Sequence, residues 1–212
     1  AYKSRMKVAD LSSPDEIKIF DDLKEQVLQA GIALKNDMKV ITVQMNEPTL
    51  DDTMPDNERF TRALRAQTGV NVIRISYTAL NKLAFVLRKS QFEIQVVLRE
   101  TAKDLFVYDV FEKEKNVIVG GMAVDIGTTT VSAIIIDMLT GEILAKGSAG
   151  NGQIRYGADV INRIIESEKP GGREKLQKAV IDETINPLID TMCRQAHLDH
   201  SQIYRLCIAS NT

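Results

Sequence analysis

Val124-Asp125-Ile126-Gly127-Thr128-Thr129-Thr130 lies between two runs of β-forming residues, Met122 to Asp125 and Val131 to Ile136. Thr128 to Thr130 separates those strands, and Asp137-Met138-Leu139-Thr140-Gly141 separates the second from a third, Glu142 to Lys146. Turn residues between alternating apolar runs predict consecutive hairpins and a sheet of antiparallel strands. The first turn carries chemistry of its own. A glycine lets backbone approach a phosphate closely, and successive N–H groups and hydroxyls surround its oxygens. A neighbouring carboxylate holds a hydrated divalent cation, and magnesium typically keeps several waters while taking one or two carboxylates. Gly127, Thr128, Thr129 and Thr130 are therefore candidate phosphate-binding residues, and Asp125 a candidate magnesium-orienting residue. The plainer reading is a polar hairpin turn with an aspartate at a strand end. No Gly-Lys-Ser/Thr follows, so this is not a P-loop.

Downstream, Tyr156 to Glu168 places Val160, Ile161, Ile164 and Ile165 on one helical face, Pro170-Gly171-Gly172 interrupts the chain, and Arg173 to Gln195 reads as a longer helix bent at Pro187. Ile203 to Ala209 is a short apolar strand. Asn151, Gln153, Tyr156 and Gly157 support two readings equally: a polar loop facing a nucleotide or partner, or a cap on the helix starting near Tyr156. Cys193, His197, His200 and Cys207 match no common zinc pattern.

Upstream, Ser13-Pro14-Asp15-Glu16 combines an N-cap, a first-turn proline and a capping-box glutamate. Ile17, Phe20, Leu23 and Val27 follow at helical intervals to about Ala30. Lys39 to Met45 alternates as a half-buried strand. Pro55 precedes a helix carrying Phe60, Ala63 and Leu64 that stops near Gly69. Val72 to Ile75 is a strand, Ser76 caps a helix with Leu80, Leu83, Ala84 and Leu87, and two strands follow, Phe92 to Leu98 and Leu105 to Val110. The expected organisation is a linker helix over 1–35, a small α+β domain over 36–118 and a separate domain over 119–212.

The composition suits an ordinary globular chain. Of 212 residues 44% are apolar and 26% charged, with 27 Lys+Arg against 29 Asp+Glu. That balance excludes disordered and collagen-like classes. Charge is interspersed rather than clustered, so no nucleic-acid footprint is present. No apolar run approaches the roughly 18 residues of a membrane span, and no signal peptide opens the chain, which predicts a cytoplasmic location and no membrane partner. Two cysteines are too few for a Cys-ligated iron–sulfur cluster.

Asp125-Ile126-Gly127-Thr128-Thr129-Thr130 with its succeeding hairpin resembles the first phosphate loop of the actin-like ATPases, the superfamily of acetate and sugar kinases, heat-shock ATPases and actin. Gly121 to Thr130, continuing through Asn151-Gly152-Gln153-Ile154-Arg155-Tyr156-Gly157-Ala158-Asp159-Val160 and Arg163, looks like the reductive activators of corrinoid-dependent enzymes. Ala209-Ser210-Asn211-Thr212 resembles the start of their Gly-Asn-Thr-Thr segment, with Ser210 in place of the glycine. Ile41 to Phe60, with Pro48, Leu50, Asp52, Asp56 and Arg59, is similar to their middle domain.

The resemblance implies an α/β chain: a small α+β middle domain followed by the first part of an actin-like (ribonuclease H-like) ATPase domain. It implies a function for the parent protein, in which a 2Fe-2S domain receives an electron and ATP hydrolysis drives it to an oxidised corrinoid, taking cobalt from Co(II) to Co(I). On that reading the cofactors are ATP and Mg²⁺, and the partner is a corrinoid protein. Asp125 and Asp159 are the catalytic candidates, with Asp159 orienting water or metal, and Asn151 and Gln153 join the nucleotide contacts. The cluster domain is expected upstream of Ala1, because Cys193 and Cys207 lie in the wrong half of the chain for its ligands, and the second half of the actin-like fold is expected outside these residues; a fragment is also expected because the chain stops at Ser210-Asn211-Thr212 directly after an apolar strand. A strand edge left there predicts a homodimer or self-associating fragment. The rival functions are a small-molecule kinase of the same superfamily and a protein-docking module without ATPase activity.

Overall fold

The computed structural model describes residues 7–8 and 36–210. The helix expected over residues 13–30 lies outside the described residues, as do Asn211 and Thr212. The chain divides into two compact units, one of Lys35–Val119 and one joining Ala1–Leu34 to Gly120–Thr212. The second unit begins with strand β1 (Lys7–Val8).

The unit of Lys35–Val119 runs β2 (Met38–Gln44), α1 (Asp56–Thr68), β3 (Val72–Ile75), α2 (Tyr77–Lys89), β4 (Glu93–Glu100) and β5 (Asp104–Glu112). Its sheet has the order β2-β4-β5-β3, antiparallel except for β3, which runs parallel to β5. Local chemistry sets the boundaries. Gly69 ends α1 in the left-handed conformation at φ 72°, its N–H donating to the Arg65 carbonyl at 2.9 Å. Ser76 Oγ accepts from the Ala79 N–H at 3.0 Å and donates to the Tyr108 carbonyl at 2.6 Å, so one hydroxyl caps α2 and ties it to β5. Phe60, Leu64, Leu87, Ile94, Leu98 and Leu105 are fully buried between helices and sheet. Each such side chain contributes about 1.5–3 kcal/mol by leaving water. Arg59 lies almost buried beneath the loop before α1, donating to Asp52 Oδ2 at 2.6 Å and to the Asn46 carbonyl at 3.2 Å.

The second unit contains β6 (Gly120–Ile126), β7 (Thr130–Asp137) and β8 (Ile143–Gly150), a 3-10 turn (Gly152–Arg155), α3 (Val160–Ser167), α4 (Gly172–Val180), a π-helical turn (Ile181–Ile185), α5 (Asn186–Gln195) and β9 (Ile203–Ser210). The sheet order is β1-β8-β7-β6-β9. The predicted hairpins are antiparallel, whereas β9 returns parallel to β6. Met122, Val124, Val131, Ala133, Ile135, Ala145 and Ala149 are buried on one face, which Leu188 and Met192 of α5 cover at Gly147. The opposite face carries Ala123, Asp125, Ser132, Ile134 and Lys146, in register across the strands.

Two helical expectations need correction. The helix predicted from Tyr156 begins at Val160, because Asp159 is the better cap: its Oδ1 accepts from the Asn162 N–H at 2.8 Å. Its Val160, Ile161, Ile164 and Ile165 face is 50–70% exposed. The helix predicted over Arg173 to Gln195 is continuous from Gly172 to Gln195, but it widens into the π turn Ile181–Ile185 just before Pro187 rather than simply bending at the proline. A proline ring crowds the carbonyl four residues earlier, and here the backbone relieves that by widening into the π turn. Thr184 stabilises the widened turn by donating from Oγ1 to the Ala179 carbonyl at 2.8 Å.

Candidate functional site

The Gly127–Thr129 turn joins β6 to β7. The Gly127 N–H donates to the Thr130 carbonyl at 2.9 Å. A Cβ on Gly127 would stand 2.7 Å from that same oxygen, so this turn needs glycine for its closeness.

The turn's three carbonyls are held from within the protein. Asn151 is completely buried; its Nδ2 donates to the Gly127 carbonyl at 2.9 Å and its backbone N–H to the Thr129 carbonyl at 2.8 Å. Arg163, on the first turn of α3, donates from Nη2 to the Thr128 carbonyl. Thr128, Thr129, Thr130 and Asp125 are exposed. The arrangement thus spends its carbonyls on internal donors and presents hydroxyls and a carboxylate outward. An anion and a hydrated cation are the ligands such a surface can take.

A second tier holds the donors in place. Gln153 N–H donates to Asn151 Oδ1 at 2.9 Å, and Gln153 Nε2 donates to the Leu176 carbonyl at 3.1 Å. Arg163 also donates from Nη1 to Gln153 Oε1 at 3.1 Å and from Nε to the Gly157 carbonyl at 3.0 Å. Burial pushes the Arg163 guanidinium down from its ordinary value, while the Asp159 carboxylate pulls the other way. Thr184 Oγ1 accepts from the Gly152 N–H at 3.0 Å, joining the π turn to the 3-10 turn. Arg155 and Glu183 form an ion pair between the same two segments.

The structure therefore brings Asp125, Gly127, Thr128, Thr129, Thr130, Asn151 and Gln153 together. Asn151 and Gln153 stand behind the turn as supports. Asp159 is occupied as a helix cap, with Oδ1 taking the Asn162 N–H and Oδ2 taking Asn162 Nδ2 at 2.9 Å. Arg163 and Thr184 were not among the expected site residues. A signal for Arg163 exists in sequence, since it is the one cation among Val160–Ser167. No such signal marks Thr184. Among the described residues no group of three or more His, Cys, Asp or Glu side chains could hold a metal, so Cys193, His197, His200 and Cys207 do not assemble.

Fold and site together define an α/β protein whose second unit carries, between β6 and β7, a glycine–threonine turn with its carbonyls held from within the protein. Residues 27–116 match the RACo linker region and residues 120–212 match the RACo middle region. The chain belongs to the RACo family of reductive activators of corrinoid proteins, whose linker and middle regions it carries in order. Over 102 residues it is 37% identical to corrinoid activation enzyme RamQ of Eubacterium limosum, covering 48% of this chain and 17% of RamQ. A solved structure, the reductive activator for corrinoid, iron-sulfur protein, superposes with a TM-score of 0.68 and 33% identity over 84% of this chain and 28% of its own. The chain thus spans well under a third of either relative.

Proposed function

We propose that this chain is part of an ATP-dependent reductive activator that returns an oxidised Co(II) corrinoid protein to Co(I). The observation that carries this reading is the turn after β6, whose carbonyls are retained by Asn151 and Arg163 while Asp125 and three threonines face outward. The strand–strand–strand–helix order, with β9 returning parallel to β6, supports an actin-like ATPase domain.

The donor set fits a nucleotide phosphate with magnesium. Asp125 would orient the hydrated ion, and Gly127, Thr128, Thr129 and Thr130 would hold the β- and γ-phosphates. Asn151, Gln153 and Arg163 keep that surface preorganised. Asp159 is the second candidate carboxylate, for orienting water or metal. Bound Mg-ATP would supply the free energy of phosphoanhydride hydrolysis. A ligand shifts an equilibrium only through its differential affinity for two states, so nucleotide bound to this turn must favour one arrangement of the activator over another.

The residues present do not fit a 2Fe-2S cluster. Cys193 is buried on α5 and Cys207 is exposed on β9, and the proposed cluster that feeds electrons to the reaction lies outside this chain. We place the protein in the cytoplasm, acting on a corrinoid protein and self-associating. No helix among the described residues is long and apolar enough to cross a membrane.

The test is anaerobic absorbance of a corrinoid protein held as Co(II), mixed with the complete activator and a reductant, before and after Mg-ATP. ATP-dependent appearance of Co(I), lost with Asp125→Asn in a protein that remains folded, is the expected result. ATP hydrolysis without Co(I) across several corrinoid partners would favour a small-molecule kinase. Undiminished turnover by Asp125→Asn would remove Asp125 from the site.

A further inference from the structure

We infer that the turn Thr49 to Asp52 is a preformed docking element that seats Leu50 in an apolar socket of the corrinoid protein partner, with Lys or Arg side chains at the rim of that socket. This rests on the partner being a corrinoid protein and not on the phosphate chemistry of the second unit.

Leu50 is 99% exposed, the most exposed large apolar side chain among the described residues. Its side chain keeps the contact with water that it has in the unfolded chain, so folding gains nothing from it. Single exposed apolar side chains are common on protein surfaces, but this one stands on a rigid mount. The Asp52 N–H donates to the Thr49 carbonyl at 3.2 Å and to Thr49 Oγ1 at 3.1 Å, which closes a tight turn with Leu50 and Asp51 at its tip. Asp52 Oδ1 accepts from the Met54 N–H at 3.2 Å, and Oδ2 accepts from Arg59 Nη1 at 2.6 Å. The same guanidinium donates to the Asn46, Asp52 and Met54 carbonyls at 3.2, 3.4 and 3.5 Å. Every hydrogen bond of the Arg59 side chain therefore goes to residues 46–54, and its Nε is left buried without a partner. Burying a cation and stranding one of its donors is unfavourable. What the arrangement achieves is a fixed loop rather than a filled core.

Charge and preorganisation identify the occupant. Glu47 and Asp51 flank Leu50, both are exposed, and neither has an ion-pair partner among the described residues. Asp52 is already matched by Arg59. The tip thus offers one apolar side chain between two uncompensated carboxylates, and its complement is an apolar socket with a cationic rim. A loop held in its binding conformation loses little entropy when it binds, which lets a single side chain count. Asp125, Gly127 to Thr130, Asn151 and Gln153 all lie in the second unit, so the first unit is available to grip the protein substrate.

The test follows Co(I) formation by the complete activator at saturating Mg-ATP while the concentration of corrinoid protein is varied. Leu50→Ser removes no internal contact and should fold normally. It should raise KM for the corrinoid protein by about tenfold or more, with kcat at saturating partner and ATP hydrolysis without partner unchanged. Asp51→Lys should also raise KM at low salt and should converge on the wild type near 1 M salt, where the screening length is about 3 Å. Val72→Ser, at an exposed apolar position of the same unit outside the turn, should leave KM at the wild-type value. Wild-type Co(I) formation with an unchanged KM in Leu50→Ser would overturn the docking role while leaving the activator reading in place. An equal rise in Val72→Ser, or equal low-salt KM for Asp51→Lys and wild type, would overturn it too. A sedimentation coefficient of the activator alone that falls in Leu50→Ser would give the turn to a second copy. No Co(I) from the wild type with any corrinoid protein would remove the activator reading and this inference together.

Discussion

Asn151 donates from Nδ2 to the Gly127 carbonyl at 2.9 Å across 24 residues of sequence, and its backbone N–H reaches the Thr129 carbonyl of the same turn at 2.8 Å. The side chain is wholly buried, so its loss leaves the Gly127 carbonyl without its amide donor. Asn151→Ala should therefore cost about 1–3 kcal/mol of stability. Asn151→Asp should cost more, because a carboxylate oxygen then faces the carbonyl oxygen. Urea unfolding should show a lower midpoint at unchanged slope. Unfolding of Asn151→Ala superimposable on the parent would show that the turn does not depend on this bond.

Arg163 makes three hydrogen bonds with one guanidinium, to the Thr128 and Gly157 carbonyls and to Gln153 Oε1. A lysine offers a point charge and cannot reproduce that fork. In the complete protein Arg163→Lys should weaken Mg-ATP binding about tenfold, corresponding to one charge-assisted hydrogen bond of about 1.5 kcal/mol, and Arg163→Ala should weaken it further. Titration calorimetry checks the order. Equal affinity for all three proteins would mean that the Thr128 carbonyl holds its orientation without Arg163.

Much of the fold is punctuated locally and could be read from sequence. Pro55, Gly69 and Ser76 act within a few residues of the boundaries they set, and the Asp137–Gly141 turn is closed by its own backbone, Gly141 N–H to the Asp137 carbonyl at 2.7 Å. The Gly127–Thr130 turn is legible for the same reason. Its supports are legible only in part: Asn151 and Gln153 stand out as a polar loop, but their role behind the turn does not, and Arg163 reaches back 35 residues while Thr184 reaches Gly152 across 32. Periodicity finds an apolar helical face but not its partner, which is why the shared face of Val160, Ile161, Ile164 and Ile165 is legible in sequence while its exposure is not. The extent of the helix around Pro187 is legible but its π widening is not, because a widened turn is a tertiary compromise, held by the Thr184 hydroxyl.

Asp159 presents a choice between two roles that one pair of substitutions separates. As the cap of α3 it accepts from the Asn162 N–H at 2.8 Å, and asparagine caps equally well. Asp159→Asn should preserve stability, whereas Asp159→Ala should lose about 1 kcal/mol. If the carboxylate also orients water or metal, Asp159→Asn should lower ATP turnover in the complete protein while leaving the thermal midpoint in place. Full turnover by Asp159→Asn would reduce this residue to its cap.

The Asp52–Arg59 pair gives the first unit a defined acid response. The hydrogen bond from Arg59 at 2.6 Å, helped by the Met54 N–H, holds the Asp52 carboxyl below its ordinary value. A carboxylate with a depressed native pKa contributes stability that is fully present above its unfolded value of about 3.9 and is lost as pH falls through the native one. Asp104 is also depressed, first by its hydrogen bond with Thr101, so the wild-type profile alone would mix the two. The difference between wild type and Asp52→Asn isolates Asp52, because Asp104 is common to both. That difference, followed by amide exchange in α1, should be flat from about pH 5 to 8 and should shrink progressively as pH falls below about 4. A difference that grows toward low pH would reverse the sign and show that Arg59 does not favour the ionised form of Asp52.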